Sequence, residues 1–205
     1  TLYMLSAFPV GNDGDYDRKD AVLNFNAKMA NNFGNLVNRV VVLTMKLWLE
    51  NGLSGNIYKN WTNKFTFDSN WNSSWDMKYL FEQFVCEIDC EMNKYNLKWS
   101  LDENFKLLDV LNKFADVKQP WQTIKDDDKA ETIETLYTLA EGVRQVGLNL
   151  YAFFPDKMSE LFNKLGLENY SQRLEKWELK DLRKEIPVFN ITEKGSPLFA
   201  RFEVE

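Results

Sequence analysis

The chain contains no histidine. That absence removes Ser-His and Cys-His nucleophile pairs, histidine metal ligands and histidine acid–base chemistry together. Any catalysis would have to rest on carboxylates, Lys, Tyr or Cys, so the balance shifts toward binding. Cysteine is nearly absent as well: Cys86 and Cys90, spaced i, i+4 in an apolar helical segment, are the only two. Two thiols make no disulfide framework, and without histidine they make no zinc site. The expectation is a pair of buried core thiols in a reduced, cytoplasmic chain. No apolar run approaches the roughly 20 residues that a membrane span requires, so no membrane is expected as a partner. The opening "TLYMLSAFPV" lacks the basic lead and small-residue cleavage site of a signal peptide, and reads as a cut inside a longer protein. Positive charge is short too. A net charge of −6 argues against general, charge-driven nucleic-acid binding, yet leaves room for a small local site.

With only 9 Gly and 5 Pro in 205 residues, and little strand-type alternation, what remains points to helix. Hydrophobic residues make up 44% and aromatics 15%, enough for the core of one domain. "PVGNDGDY" (9–16) is turn-forming, and Asp13, Asp15 and Asp17 resemble the start of a calcium loop. Arg18 stands where that loop needs glycine and no Glu closes it, so calcium is excluded. A short helix is expected over about 17–25 and a long one over about 27–51, where Met29, Phe33, Leu36, Val37, Val40, Val41 and Leu47 repeat at three- and four-residue steps. Residues 53–74 are rich in Asn, Ser and Trp without a period and read as a loop or insertion. A third helix is expected over about 75–97, and "SLDE" (100–103) has the capping-box pattern to open a fourth, to about 117. Gln119 before Pro120 is expected to be extended and to break it. An acid-led helix then runs to about Phe154, Pro155 starts a short one to Leu165, and 167–205, with Trp177, Pro187 and Pro197, is irregular. The fold class expected is all-α: a helical bundle with the C-terminal tail packed on it.

"GNLVNR" (34–39) raises the functional question, because it places Gly34, two asparagines and an arginine inside an apolar helical run. Asn35 and Arg39 share one helix face, about 6 Å apart along the axis. That pair is either a solvated face or a planar, hydrogen-bonding reader. Trp121 is either core or an aromatic stacking platform fixed by Pro120. Asn38 and Lys118 are equally suited to phosphate or ribose contacts and to a plain surface role. Gly34 either admits a close backbone approach or only tolerates crowding.

Four stretches in order resemble one family: "FPVGNDGDYDRKDAVLNFNAKMANNFGNLVNRV", "LNKFADVKQPWQTIK", "LYTLAEGVRQVGLNLYAFFPDKMSELFNKLGL" and "KGSPLFARFE". Together they are similar to the C-terminal anticodon-binding domain of bacterial-type methionyl-tRNA synthetases, class I aminoacyl-tRNA synthetases. Ala200 stands where the family usually has proline. The resemblance covers nearly the whole chain except about 53–74. It implies that residues 1–16 are a remnant of the catalytic half, with 17–205 forming the helical anticodon-binding domain. It also implies that Asn35, Arg39 and Trp121, with Pro120 and Asn38 beside them, recognise the CAU anticodon of methionine tRNA. The parent would join methionine to that tRNA using ATP and magnesium, and this domain would pack on its catalytic half.

No catalytic residue, metal or cofactor is expected within the chain itself. "KMSEL" (157–161) partly echoes the ATP-handling loop of class I synthetases. It opens a helix after Pro155 and has Glu160 in place of the second lysine, so the echo is treated as chance. Two other readings stand beside this one. The same helical domain occurs in cysteinyl, isoleucyl, valyl and leucyl synthetases, and a helical interaction module without RNA reading would share the fold.

Overall fold

A computed structural model describes residues 2–8, 11, 14–51, 56–57, 64–66, 74–126, 129–176, 178–185 and 187–203, without the side chains of 49–51, 56–57, 64–66, 74–76 and 78. The expected loop at 53–74, Asp13 of the rejected calcium loop and Trp177 of the tail fall wholly or largely outside these residues.

Among the described residues the fold is all-α, as expected. Helix α1 (Leu2–Ala7) packs on α5 and α2. Asp17 then caps α2 (Arg18–Phe25), its carboxylate accepting from the amides of Lys19 at 2.7 Å and Asp20 at 3.2 Å. The chain passes without a break from α2 into a π-helix (Asn26–Gly34) and on into α3 (Asn35–Asn51). The single long helix expected over 27–51 is therefore a widened turn leading into a regular one.

Helix α4 (Met77–Asn93) and α5 (Leu97–Lys118) form an antiparallel hairpin. Tyr95, in the left-handed conformation at φ 59°, reverses the chain, and Asn96 bonds back to the Glu91 carboxylate at 2.7 Å. The expected capping box at Ser100 and Glu103 is not used. Helix α5 already starts at Leu97, and Ser100 lies buried within it, its amide bonded to the carbonyl of Asn96. The left-handed turn two residues earlier supplies the reversal, so the local capping pattern has no free helix end to satisfy.

Short helix α6 (Pro120–Thr123) leads to α7 (Ala130–Leu150), the centre of the molecule. Every residue from Thr135 to Leu150 is buried, as expected of a helix enclosed on all sides. Helices α3, α4, α5, α6, α8 (Pro155–Lys164) and α10 (Leu179–Lys184) all pack on it. After α8 the chain turns through Gly166 at φ +69°, where an added Cβ would lie 1.9 Å from the carbonyl oxygen of Asn190. Only glycine fits both the conformation and the approach.

The tail is more ordered than its sequence pattern indicates. It contains α9 (Tyr170–Glu175) and α10, and β4 (Phe189–Asn190) pairs antiparallel with β1 (Asn56–Ile57). β2 (Lys64–Thr66) and β3 (Ser74–Asp76) form a second antiparallel pair.

A buried charge cluster anchors α10. Arg144 donates to both oxygens of Glu141 at 2.6 Å, to the carbonyl of Leu182 at 2.7 Å and to that of Glu185 at 3.3 Å. Burial opposes the Arg144 charge, but the charge and hydrogen bonds of Glu141 outweigh it and hold the guanidinium pKa above its ordinary value. Arg183 extends the cluster to Asp89 and Asn149, each at 2.7 Å. Farther on, Phe199 packs on Phe33 and Phe25, and Asn26 bonds both backbone groups of Phe202, at 2.8 and 2.9 Å. The tail thus closes against the π-helix.

Candidate nucleic-acid interface

The π-helix ends at the residue pair that opens "GNLVNR". The amide of Asn35 donates to the carbonyl of Asn32, and regular helix begins there. A Cβ on Gly34 would stand 3.2 Å from the carbonyl oxygen of Met29 and 3.6 Å from the Phe199 ring. Glycine therefore serves close approach at this junction. Beneath it, Asn112 donates to the Asn32 side chain at 2.6 Å, and Asn32 donates to Asp109 at 2.7 Å, tying the end of the π-helix to α5.

From that junction α3 turns its apolar residues inward and three polar ones outward. Leu36, Val37 and Val40 are buried, whereas Asn35, Asn38 and Arg39 are exposed. Across from them α5 ends on Gln119, which is left-handed (φ 45°, ψ 55°) rather than extended as expected. This conformation lets the Gln119 amide close the helix onto the carbonyl of Ala115 at 2.9 Å. The Gln119 carbonyl then accepts from Gln122 and Thr123, so α6 starts with no intervening loop. Pro120 is buried at the head of α6, and Trp121 is half-buried against the core.

The result is a compact open face. The Arg39 guanidinium carbon lies 5.6 Å from the centroid of the Trp121 ring, in cation–π reach. Asn35 stands one helical turn below Arg39 on the same face. The Arg39 side chain keeps 44% of its surface exposed, and its Nη1 meets Asp116 Oδ1 at 3.2 Å, with Asp116 itself 63% exposed. The pair orients the guanidinium without taking it out of water. Asp116 was missed from the sequence, where nothing marks it apart from the other acids of α5. Lys118 is tied to Glu131 at 2.7 Å, and burial raises the pKa of nearby Glu134 against the opposing charge of Lys118.

Chemically, this face offers a planar cation, a neutral amide and a fixed indole on one open surface. Among the described residues no group of acidic or thiol side chains is arranged to hold a metal ion.

No protein-family model matches the chain. Solved structures share its fold, and they are aminoacyl-tRNA synthetases. The Mycobacterium tuberculosis methionyl-tRNA synthetase in complex with methionyl-adenylate superposes with a TM-score of 0.75 at 21% identity, covering 98% of this chain and 36% of that one. Its apo form gives a TM-score of 0.77 at 20% identity. In sequence, the methionine–tRNA ligase of Listeria monocytogenes serotype 4b is 31% identical over 205 residues, 99% of this chain. That of Halalkalibacterium halodurans is 29% identical over 204 residues. The chain is thus homologous to methionine–tRNA ligases over 99% of its own length, and it spans 29% of the length of both relatives.

Proposed function

We propose that this chain is the anticodon-reading domain of a methionine–tRNA ligase, and that Asn35, Arg39 and Trp121 read the first base of a CAU anticodon. The observation that carries the reading is the Arg39 guanidinium poised over the Trp121 ring, with Asn35 one turn away on the same exposed face. Sequence-specific RNA recognition favours unstacked loop bases, held on aromatic rings and bonded along their edges. Cytosine presents acceptors at O2 and N3 and a donor amino group. Arg39 supplies donors only, while the Asn35 amide supplies both kinds. Uracil replaces the amino donor with an acceptor, which leaves an Asn35 carbonyl aimed at that group without a partner. Asn38 stands on the same face, and Pro120 acts from beneath by fixing the direction of Trp121.

The intact protein, on this reading, joins methionine to its tRNA in the cytoplasm using ATP and magnesium. That chemistry lies in a catalytic half outside these residues, reached through residues 1–16 and packed against this domain. The net charge of −6 makes the affinity of this chain alone weak.

Binding of labelled CAU and UAU anticodon stem-loops at low, fixed salt tests the assignment. CAU should bind more tightly. Trp121→Ala should weaken CAU binding by about 5- to 150-fold, the equivalent of one lost base stack of 1–3 kcal/mol. Equal affinity for the two loops, or an unchanged Trp121→Ala, would refute it.

A further inference from the structure

Far from the α3–α6 face, a groove of about 930 Å³ runs between α4 and α10 above α7. Cys86 and Cys90 line it, and both are free and exposed. The expectation of buried core thiols is therefore wrong. Helix α4 buries Phe81 and Ile88, and α10, only six residues long, does not reach across to cover the flank that carries the cysteines.

The surroundings of these thiols are specific. Most acids in the groove are already neutralised: Asp89 by Arg183, Glu141 by Arg144 and Glu185 by Arg173. Glu82 is the exception. On the opposite wall the exposed side chains of Lys180 and Lys184, one turn apart on α10, make no hydrogen bond or ion pair with any described residue. At the floor, Gln145 is 5% exposed. Its amide nitrogen is spent on Glu141 and the Arg183 carbonyl, and its Oε1 has no partner among the described residues. Beside Cys90, the Lys94 ammonium bonds Glu91 at 2.8 Å and stands within reach of the Cys90 sulfur.

We propose that this groove is a mixed-disulfide site in which Cys90 takes up a small, carboxylate-bearing peptide thiol from its disulfide form. The unpaired lysines face the ligand carboxylates, and Gln145 Oε1 accepts an amide N–H. The attacking species is the thiolate. The Cys90 sulfur attacks one sulfur of the ligand disulfide, forming one S–S bond as the other breaks. The electron pair leaves on the second ligand sulfur, which takes a proton from water. Cys90 is oxidised, and half of the ligand is released as a free thiol.

Cys86 cannot then expel the bound half. Its β-carbon lies about 6 Å from that of Cys90 on a regular helix. A disulfide requires about 3.5–4.5 Å, so closing one would break α4. The adduct persists until an external thiol removes it. None of this depends on RNA reading, so either assignment can fail without the other.

Reaction with glutathione disulfide, an anionic peptide, is compared at low ionic strength with cystamine, a cation, by intact mass and peptide mapping. Glutathione disulfide should react faster, and at Cys90. Each lysine charge about 7 Å from a ligand carboxylate in water is worth roughly threefold, so Lys180→Gln with Lys184→Gln should slow it by about five- to tenfold while leaving cystamine no slower. Cys86→Ser should leave the adduct in place, and Cys90→Ser should abolish it. Equal rates for the two disulfides, indifference to the lysine changes, or reaction confined to Cys86 would overturn the proposal.

Discussion

Replacing Arg144 with methionine tests whether the charge cluster beneath α10 holds the tail. The Arg144 side chain is fully buried and that of Glu141 is 4% exposed. Methionine fills much of the same space but removes four hydrogen bonds: two to Glu141 and one each to the carbonyls of Leu182 and Glu185. Glu141 is left as a buried carboxylate with only the Gln145 amide, at 2.7 Å, for company. Removing one partner from a buried ion pair costs about 3–5 kcal/mol. With a urea m-value of roughly 2–3 kcal/mol/M, the unfolding midpoint should fall by about 1–2 M. Glu141→Leu combined with Arg144→Met should recover much of that loss, because removing both charges removes the unpaired one. The cycle should give a coupling of at least about 2 kcal/mol. A single variant costing under about 1 kcal/mol, or strictly additive losses, would refute the reasoning.

Three further outcomes are expected. Gly166→Ala should cost roughly 2–4 kcal/mol by urea unfolding, because it combines a left-handed backbone with a Cβ placed 1.9 Å from the Asn190 carbonyl oxygen. Asp116→Ala should change stability by less than about 1 kcal/mol, since both partners of its ion pair are largely exposed. Glu134→Gln should raise the urea midpoint at neutral pH. Burial holds the folded pKa of Glu134 above its unfolded value, so the fold disfavours the charged form. That penalty is absent below the unfolded pKa and complete above the folded one, so the gain should vanish below about pH 4.

The helices were legible because their apolar residues recur every three or four positions, and the pattern in α3 and α7 is long. The shared face of Asn35 and Arg39 was legible for a similar local reason: an i, i+4 spacing places the two together whatever surrounds them. Burial was harder to read. Periodicity marks which side of α4 is apolar but not how far its neighbours extend, and a short α10 leaves Cys86 and Cys90 uncovered. "EGVR" looks like an ordinary surface i, i+3 pair, and only the uncharged flanks, 135–140 and 145–150, signal that Glu141 and Arg144 lie inside. Ser100 and Glu103 satisfy a local capping pattern that the turn at Tyr95 makes redundant. Asp116 had no signal, because its importance comes from Arg39, 77 positions away in the chain.

The enclosure of α7 also orders the molecule in time. With 135–150 buried throughout, its backbone amides meet solvent only when several surrounding helices separate together. These protons should be among the slowest to exchange for deuterium, at rates close to those of global opening, while the ends of α9 and α10 exchange far sooner. The face formed by α3 and α6 is seated on that same slow helix. Asn35 projects into solvent while Arg39 and Trp121 lean on each other, and the frame that sets their spacing has no partial way to open.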